Sequence, residues 1–469
     1  MSQDKPRVLI IAEYIAPVQA VASIRWTKFA KYLAKDHNCE VTVLTNRKSY
    51  ERGVFQSKPY ARDSALEGDL QWFATVEIPN SLGQVLTNAV FNLGRNVLDA
   101  IKSRSAAKTQ TTSGDISATH PSGKGAPKRG ASLTNSLPEK IFELVDGWCG
   151  AAIARAGRRA SIEWDSFDVM VSTYGPIWTH RLAARAKADH DNLFWVADFR
   201  DPIVNSKRTD SEGNRRLAGE VTERADLITA VSQGTLENLY LTGSTPAAVL
   251  VNGFDPDEVS ASSRACTNEF RIVYTGTLYS DDTCTRDLSP LFRALEDAAD
   301  QGLLSLDRVR IEYAGTTSYL FQRFAREHPR VPTKDYGLLP RNDALALQDR
   351  ASALVVASWN NSKQTGVLTG KLFEYLSRDV PVVGLCAGDV PNSALRDLIE
   401  DCAAGMCFEE ADSDTYGPLV SFLAALYRQW SDKGMTRRDP TASKRVWRYS
   451  YPELTGRLVS TINEVRASA

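Results

Sequence analysis

The window Gly366 to Val383, GVLTGKLFEYLSRDVPVV, gathers residues that could do chemistry together. It reads as a polar loop, a short helix and a β-branched strand. Gly366, Thr369 and Gly370 are loop and helix-start residues, and Lys371 falls in the first helical turn. A helix start presents unpaired backbone N–H groups and partial positive charge, which suits a phosphate or diphosphate. One turn further in, Glu374 is placed to accept hydrogen bonds from ligand hydroxyls. Phosphate at one end and hydroxyls at the other is the pattern of a held sugar nucleotide. The same window also reads as an ordinary αβ unit with a lysine and a glutamate facing solvent.

Such a loop and helix need a sheet to carry them. Arg7–Ala12 (RVLIIA) predicts a buried strand, Ser23–Leu33 an amphipathic helix and Cys39–Thr45 a second strand. Strand, helix, strand at these lengths is a βαβ unit of a parallel sheet. The same grammar continues with strands over Phe167–Tyr174, Leu193–Phe199, Ala225–Ser232 and Ala247–Phe254, and a helix over Ile177–Lys187. A polar linker over Asp255–Asn268 precedes a second series, with strands in Phe270–Leu278, Val309–Thr316, Val331–Pro340, Ala353–Trp359 and Val380–Leu385. Two consecutive doubly wound α/β domains follow. Ligands of such sheets lie beyond the carboxyl ends of the strands, so a cleft between the two is the expected site.

Totals narrow the function classes. With 469 residues and 43% apolar content the chain can build two cores. A formal charge of −1 gives no bias toward nucleic acid. Seven cysteines, an odd number with no C-x-x-C pair, suit reduced thiols in the cytoplasm. The opening residues lack the pattern of a signal peptide, and no run of about 20 apolar residues predicts a spanning helix. Residues 103–135 are rich in Ser, Thr, Gly, Lys and Pro and predict a disordered insert. The preceding helix-spaced segment, Val85–Arg104, suits packing on the first domain or peripheral contact with the inner face of a membrane.

Four motifs, in this order, resemble a glycosyltransferase of the GT-B fold, in the broad retaining class called glycosyltransferase family 4, bacterial polysaccharide subgroup. They are RVLIIAEYIAP with SIRWTKFAKYLAK and CEVTVLT; WVADFRDP (Trp195–Pro202); ADLITAVSQGTLENL with VNGFD (Val251–Asp255); and TGKLFEYLSRDVPVV. The resemblance covers nearly the whole chain except the insert. It implies α/β architecture with two Rossmann-like doubly wound parallel-sheet domains facing a cleft. Residues 1–254 would form an acceptor-side domain, 255–444 a nucleotide-sugar-binding domain, and 445–469 a helix crossing back, with Trp447, Tyr449 and Tyr451 near the crossover.

Departures from the family pattern are specific. Glu374 matches the second glutamate of the family's Glu-x7-Glu pair, but the first position is Gly366. The opening loop lacks the usual Gly pair. Arg286 is the nearest match to the family's cation after the first strand of the second domain, with Lys371 as an alternative source of charge.

Within the resemblance, the leaving diphosphate falls to Gly276, Thr277, Arg286, the N–H groups of Val367, Leu368, Thr369 and Gly370, and Lys371. Glu374 would take ribose hydroxyls, and Gly337, Leu339 and their neighbours through Arg341 would lie near the base. On the catalytic side, Asp198 or Asp201 would orient or deprotonate the acceptor, Arg200 would pair with either acid and keep both ionised, His180 would line the cleft, and Arg25 would meet an acceptor phosphate. Each has an ordinary structural reading: a strand-to-helix turn at Gly276, a solvated Lys371, an Asp–Arg–Asp cluster that caps a helix, a packed His180, a surface Arg25.

No metal ligands are indicated, since Asp255-Pro256-Asp257 has D-x-D spacing but sits in a turn. Cofactors are not expected beyond the donor itself. The function expected is metal-independent transfer of a hexose from a nucleotide sugar to a glycan or lipid-linked acceptor, in surface polysaccharide biosynthesis. A catalytically silent nucleotide-sugar-binding subunit and a sugar-nucleotide epimerase are the alternatives. The expected location is the cytoplasm, with a peripheral position at the inner membrane face as the variant.

Overall fold

The computed structural model of the chain describes residues 5–46, 61–78, 154–158, 160, 162–201, 212–239, 244–259, 266–280, 284–439 and 442–468. The 103–135 insert and the Val85–Arg104 segment lie outside them.

The strands of the first lobe are β1 (Arg7–Ile11), β2 (Glu40–Asn46), β3 (Ala74–Ile78), β4 (Val169–Thr173), β5 (Phe194–Phe199), β6 (Leu227–Ala230) and β7 (Ala247–Val249). They form one seven-stranded sheet in the order β3-β2-β1-β4-β5-β6-β7, every pairing parallel. The second lobe holds β8 (Phe270–Thr275), β9 (Val309–Ala314), β10 (Thr333–Asp335), β11 (Ala353–Trp359), β12 (Val382–Ala387) and β13 (Gly405–Glu409), in the order β10-β9-β8-β11-β12-β13, again all parallel. Central strands such as β5 and β11 are buried along their whole length, as apolar runs covered by helices on both faces must be.

Two strands escaped the sequence reading. β3 (ATVEI) lies at a sheet edge and is mostly exposed, so it carries little apolar signal. β13 (GMCFE) is short and opens on a glycine. The strand expected from Val380 begins at Val382. Pro381 has no N–H to give to the ladder, although its carbonyl accepts from Leu354.

Strand order reverses between β1 and β4 in one sheet and between β8 and β11 in the other. These are the topological switch points, where the loops diverge and leave a crevice. Apolar clusters line both faces of each sheet. The last helix, Tyr451–Ser468, returns to the first lobe. Its Tyr451, Leu454, Leu458 and Ile462 join the core of Trp26, Phe29 and Leu33 on the first helix, Val21–His37. Tyr451 meets the Phe29 ring edge-on at 5.3 Å.

Candidate functional site

Three glycines end three adjacent strands of the second lobe: Gly276 after β8, Gly315 after β9 and Gly337 after β10. Gly276 N donates to Ala314 O at 2.6 Å and Gly315 N to Gly337 O at 2.8 Å, so the loops lie against one another. A Cβ on Gly315 would overlap the Gly276 carbonyl. Gly276 has φ +128°, a conformation natural to glycine. Gly315 was absent from the sequence reading. Its signal was a repeat, Tyr274-Thr-Gly-Thr and Tyr313-Ala-Gly-Thr, whose tyrosines stack 6.0 Å apart.

Lys371 lies directly over Gly276. A Cβ there would overlap the lysine's Cε, so the absent side chain makes room for the aliphatic stem. Lys371 is half-buried, and among the described residues its ammonium has neither a hydrogen bond nor an ion pair. Burial pushes its pKa below the usual lysine range. Glu374 opposes that shift, while the nearby charges of Arg286 and Arg341 add to it. Arg286 donates to Thr277 O at 2.7 Å, lies 4.6 Å over Tyr279 and 5.6 Å over Trp359, and keeps a buried Nε without a partner. Two cations thus crowd the β8–β11 switch point without a full complement of anions.

The loop that leads into the helix Gly370–Leu376 faces the first lobe. Gly366 has φ +70°, and a Cβ on it would sit 2.8 Å from Gly234 Cα across the lobes. Any side chain at the position of the missing glutamate would push the lobes apart. Val367 O accepts from Ser358, Leu368 packs on the core beneath, and the buried Thr369 Oγ1 has no partner. A Cβ on Gly370 would lie 3.9 Å from Asn252 Nδ2 of the interlobe segment. The helix has only seven residues, so its dipole is short and Lys371 is the stronger anion handle.

Glu374 is not a free surface residue. Arg341 donates to its Oε2 at 3.0 Å and Gln348 to its Oε1 at 2.6 Å. Gln348 also reaches Thr275 Oγ1 at 3.1 Å, and Tyr375 OH accepts from Thr275 N at 2.9 Å. Gly337 has φ +64°, Leu338 is exposed and Leu339 packs on the core edge.

On the first lobe the structure corrects three expectations. Asp198 does not face an acceptor. It is fully buried, and its carboxylate accepts from Arg25, Trp26, Thr173 and Thr229 at 2.7–3.2 Å. Burial alone would raise its pKa, but the Arg25 charge and these donors hold it below the usual carboxylate range. Arg25 is committed likewise, donating to Leu250 O, Val251 O and Asn252 Oδ1 as well. It cannot meet an acceptor phosphate without abandoning a buried ion pair. His180 is enclosed in the core, with Nδ1 2.7 Å from Ser172 Oγ and the Phe199 ring at 4.6 Å; burial lowers its pKa to about 3.

Arg200 donates to the carbonyls of Tyr174 and Gly175 and lies 3.6 Å from Asp201, which is exposed. Of Asp198, Asp201 and His180, Asp201 alone can reach a ligand.

Asp255, read as part of a linker turn, is buried. It accepts from Lys31 and Tyr32 and pairs with Lys28 at 2.7 Å. Among the described residues no group of three His, Cys, Asp or Glu side chains is placed to hold a metal ion, and no helix is long and apolar enough to cross a membrane.

No family model and no curated protein matches the sequence. Solved structures do match its fold. The N-terminal domain of trehalose-6-phosphate phosphatase from Candida albicans superposes with a TM-score of 0.60 at 11% identity, over 99% of this chain and 98% of that one. The Escherichia coli trehalose-6-phosphate protein bound with UDP-2-fluoro glucose gives 0.58 at 10% identity, over 97% and 98%. The α,α-trehalose-phosphate synthase (UDP-forming) of Burkholderia vietnamiensis gives 0.56 at 10%, over 99% and 100%. The chain therefore has the α/β, two-lobed GT-B architecture, with two parallel sheets facing a cleft. Identities this low establish the fold alone.

Proposed function

We propose that the protein is a glycosyltransferase, of the family 4 type its motifs resemble. It moves a hexose from a nucleotide sugar to a glycan or lipid-linked acceptor in surface polysaccharide assembly. The observation that carries this is Lys371: a half-buried ammonium without an ion-pair partner, folded over a glycine at the switch point, beside a second cation, Arg286.

A half-buried cation whose nearest carboxylate, Glu374, is already shared by Arg341 and Gln348 is costly unless a ligand supplies further negative charge. A diphosphate would do so, and the same two cations would neutralise charge that grows on it as the glycosidic bond breaks. Glu374 would accept the ribose hydroxyls, with the loop Gly337–Leu339 near the base. A GT-B structure bound with UDP-2-fluoro glucose makes this donor class a reasonable one for the fold. On the facing lobe, Asp201 is the acid left to orient the acceptor hydroxyl. Retention at the anomeric centre, independence from metal, and a cytoplasmic site at the inner membrane face belong to the same proposal.

A second reading, nucleotide-sugar binding without transfer, is favoured by Gly366, which puts no carboxylate where the family has one and packs instead on Gly234. Calorimetric titration with UDP-, GDP- and ADP-sugars, then assay of nucleoside diphosphate release with glycan and lipid extracts, separates the readings. Binding with release supports transfer. Binding without release supports the second reading, and no binding refutes both.

A further inference from the structure

Glu374 is the end of a chain of charges that crosses between the lobes. Arg341, at the start of the helix Arg341–Asp349, spans two carboxylates. It donates through one nitrogen to Glu374 at 3.0 Å and through another to Glu258 at 2.6 Å. Glu258 Oε1 meets Lys28 Nζ at 2.7 Å, and Lys28 also meets Asp69 and Asp255, each at 2.7 Å. The side chains of Glu374, Arg341, Glu258 and Lys28 are 21%, 15%, 18% and 1% exposed, so the string is poorly screened by solvent.

The string changes lobe at one pair. Asp255 and Asp257 hold the interlobe segment to the first helix through Lys28, Lys31 and Lys35. Arg341 and Glu374 belong to the second lobe. A rotation of the lobes that opens the cleft would therefore pull on the Glu258–Arg341 pair. Within the second lobe, Arg341 and Gln348 each take one oxygen of Glu374, fixing the carboxylate plane and leaving a lone pair on each oxygen for a ligand. An arginine is suited to this because its planar fork sets direction as well as charge.

We propose that Arg341 is a positioning residue for nucleoside binding. It sets the Glu374 carboxylate for two ligand hydroxyls, and through Glu258 and Lys28 it makes that setting depend on the disposition of the lobes. The proposal rests on the reading of Glu374 as the acceptor of ribose hydroxyls. Pyrophosphate lacks those hydroxyls and would touch only the Lys371 and Arg286 end of the site.

Titration calorimetry with UDP, GDP and ADP, and in parallel with inorganic pyrophosphate, tests it on Glu374→Gln, Arg341→Met, Arg341→Lys and Glu258→Gln. For the nucleotide that binds the native protein best, Glu374→Gln and Arg341→Met each weaken binding about tenfold or more, while pyrophosphate affinity holds within about twofold. Arg341→Lys recovers part of the loss. Glu258→Gln, nearly isosteric and out of reach of the ligand, weakens the nucleotide about threefold.

Native nucleotide affinity in both Arg341→Met and Glu258→Gln, with loss in Glu374→Gln, overturns the positioning role and leaves the ribose reading standing. Native affinity in Glu374→Gln overturns the ribose reading itself. Equal losses for nucleotide and pyrophosphate overturn positioning in favour of general damage to the site. Should Arg341→Met fail to fold, with two carboxylates left unpaired, Glu258→Gln and Arg341→Lys decide.

Discussion

Replacing Lys371 with methionine removes one charge and keeps the stem that lies over Gly276. The structure gives this change two opposite expected effects. A charge-assisted hydrogen bond to a phosphate contributes about 1.5–3 kcal/mol, so affinity for a nucleoside diphosphate should fall about 10- to 100-fold. Stability of the unliganded fold should not fall, because the ammonium has no hydrogen bond or ion pair to lose among the described residues, and burial with the charges of Arg286 and Arg341 outweighs the attraction of Glu374.

The pH dependence has a definite sign. In the fold the Lys371 pKa lies below its ordinary 10.5, so between the two values the unfolded chain holds the proton more firmly. Stability therefore rises with pH across that window, and Lys371→Met removes the rise. Titration calorimetry with UDP, GDP and ADP, beside thermal unfolding without ligand, measures both effects. Unchanged affinity in Lys371→Met, or a stability loss above about 1 kcal/mol, would show that the lysine serves the fold and would refute the reasoning.

Asp198→Asn breaks a buried ion pair and should cost about 3–5 kcal/mol of stability. Turnover per folded molecule, measured well below its melting point, should stay within a few-fold of native; a collapse of that turnover would restore Asp198 to the chemistry. His180 is held neutral with a pKa of about 3 against 6.5 when unfolded, so stability should decline as pH falls through that interval, by up to about 1.4 kcal/mol per pH unit. In His180→Leu the chemical-denaturation midpoint should lose that dependence, and an unaltered slope would count against the buried, uncharged ring. Gly366→Glu should destabilise by about 1–2 kcal/mol from its positive φ alone, with more from the contact at Gly234. A native melting temperature would mean the lobes do not meet there.

What could be read from the sequence followed from how local its cause was. β11 was legible to the residue, since a run of small, β-branched and aromatic residues buried on both faces has few other fates. Gly276 and Lys371 were legible as loop and helix-start residues, although the lysine's position over the glycine was not. Asp198 was misread because an acid at a strand end looks the same whether it faces a cleft or a buried guanidinium. Its partner Arg25 lies 173 positions away. Asp255 was misread for the same reason, with Tyr32 and Lys31 more than 220 positions distant. Sequence patterns report periodicity and turn chemistry. They do not report which distant helix arrives to neutralise a charge.

The backbone passes between the lobes twice, and the two passages touch. Phe254 N donates to Tyr449 O, and Tyr451 N to Phe254 O. A Cβ on Gly253 would lie 2.7 Å from that Tyr449 carbonyl, so the strands run too close for a side chain. Between those two passages the chain builds the whole of the second sheet, β8 to β13, while β1 and the final helix belong to the first lobe on either side. The second lobe begins and ends at neighbouring points, so a gene fragment encoding it alone would leave two adjoining termini and no cut sheet. The first lobe cannot be obtained by trimming either end: it would need a short graft joining Phe254 to Ser450.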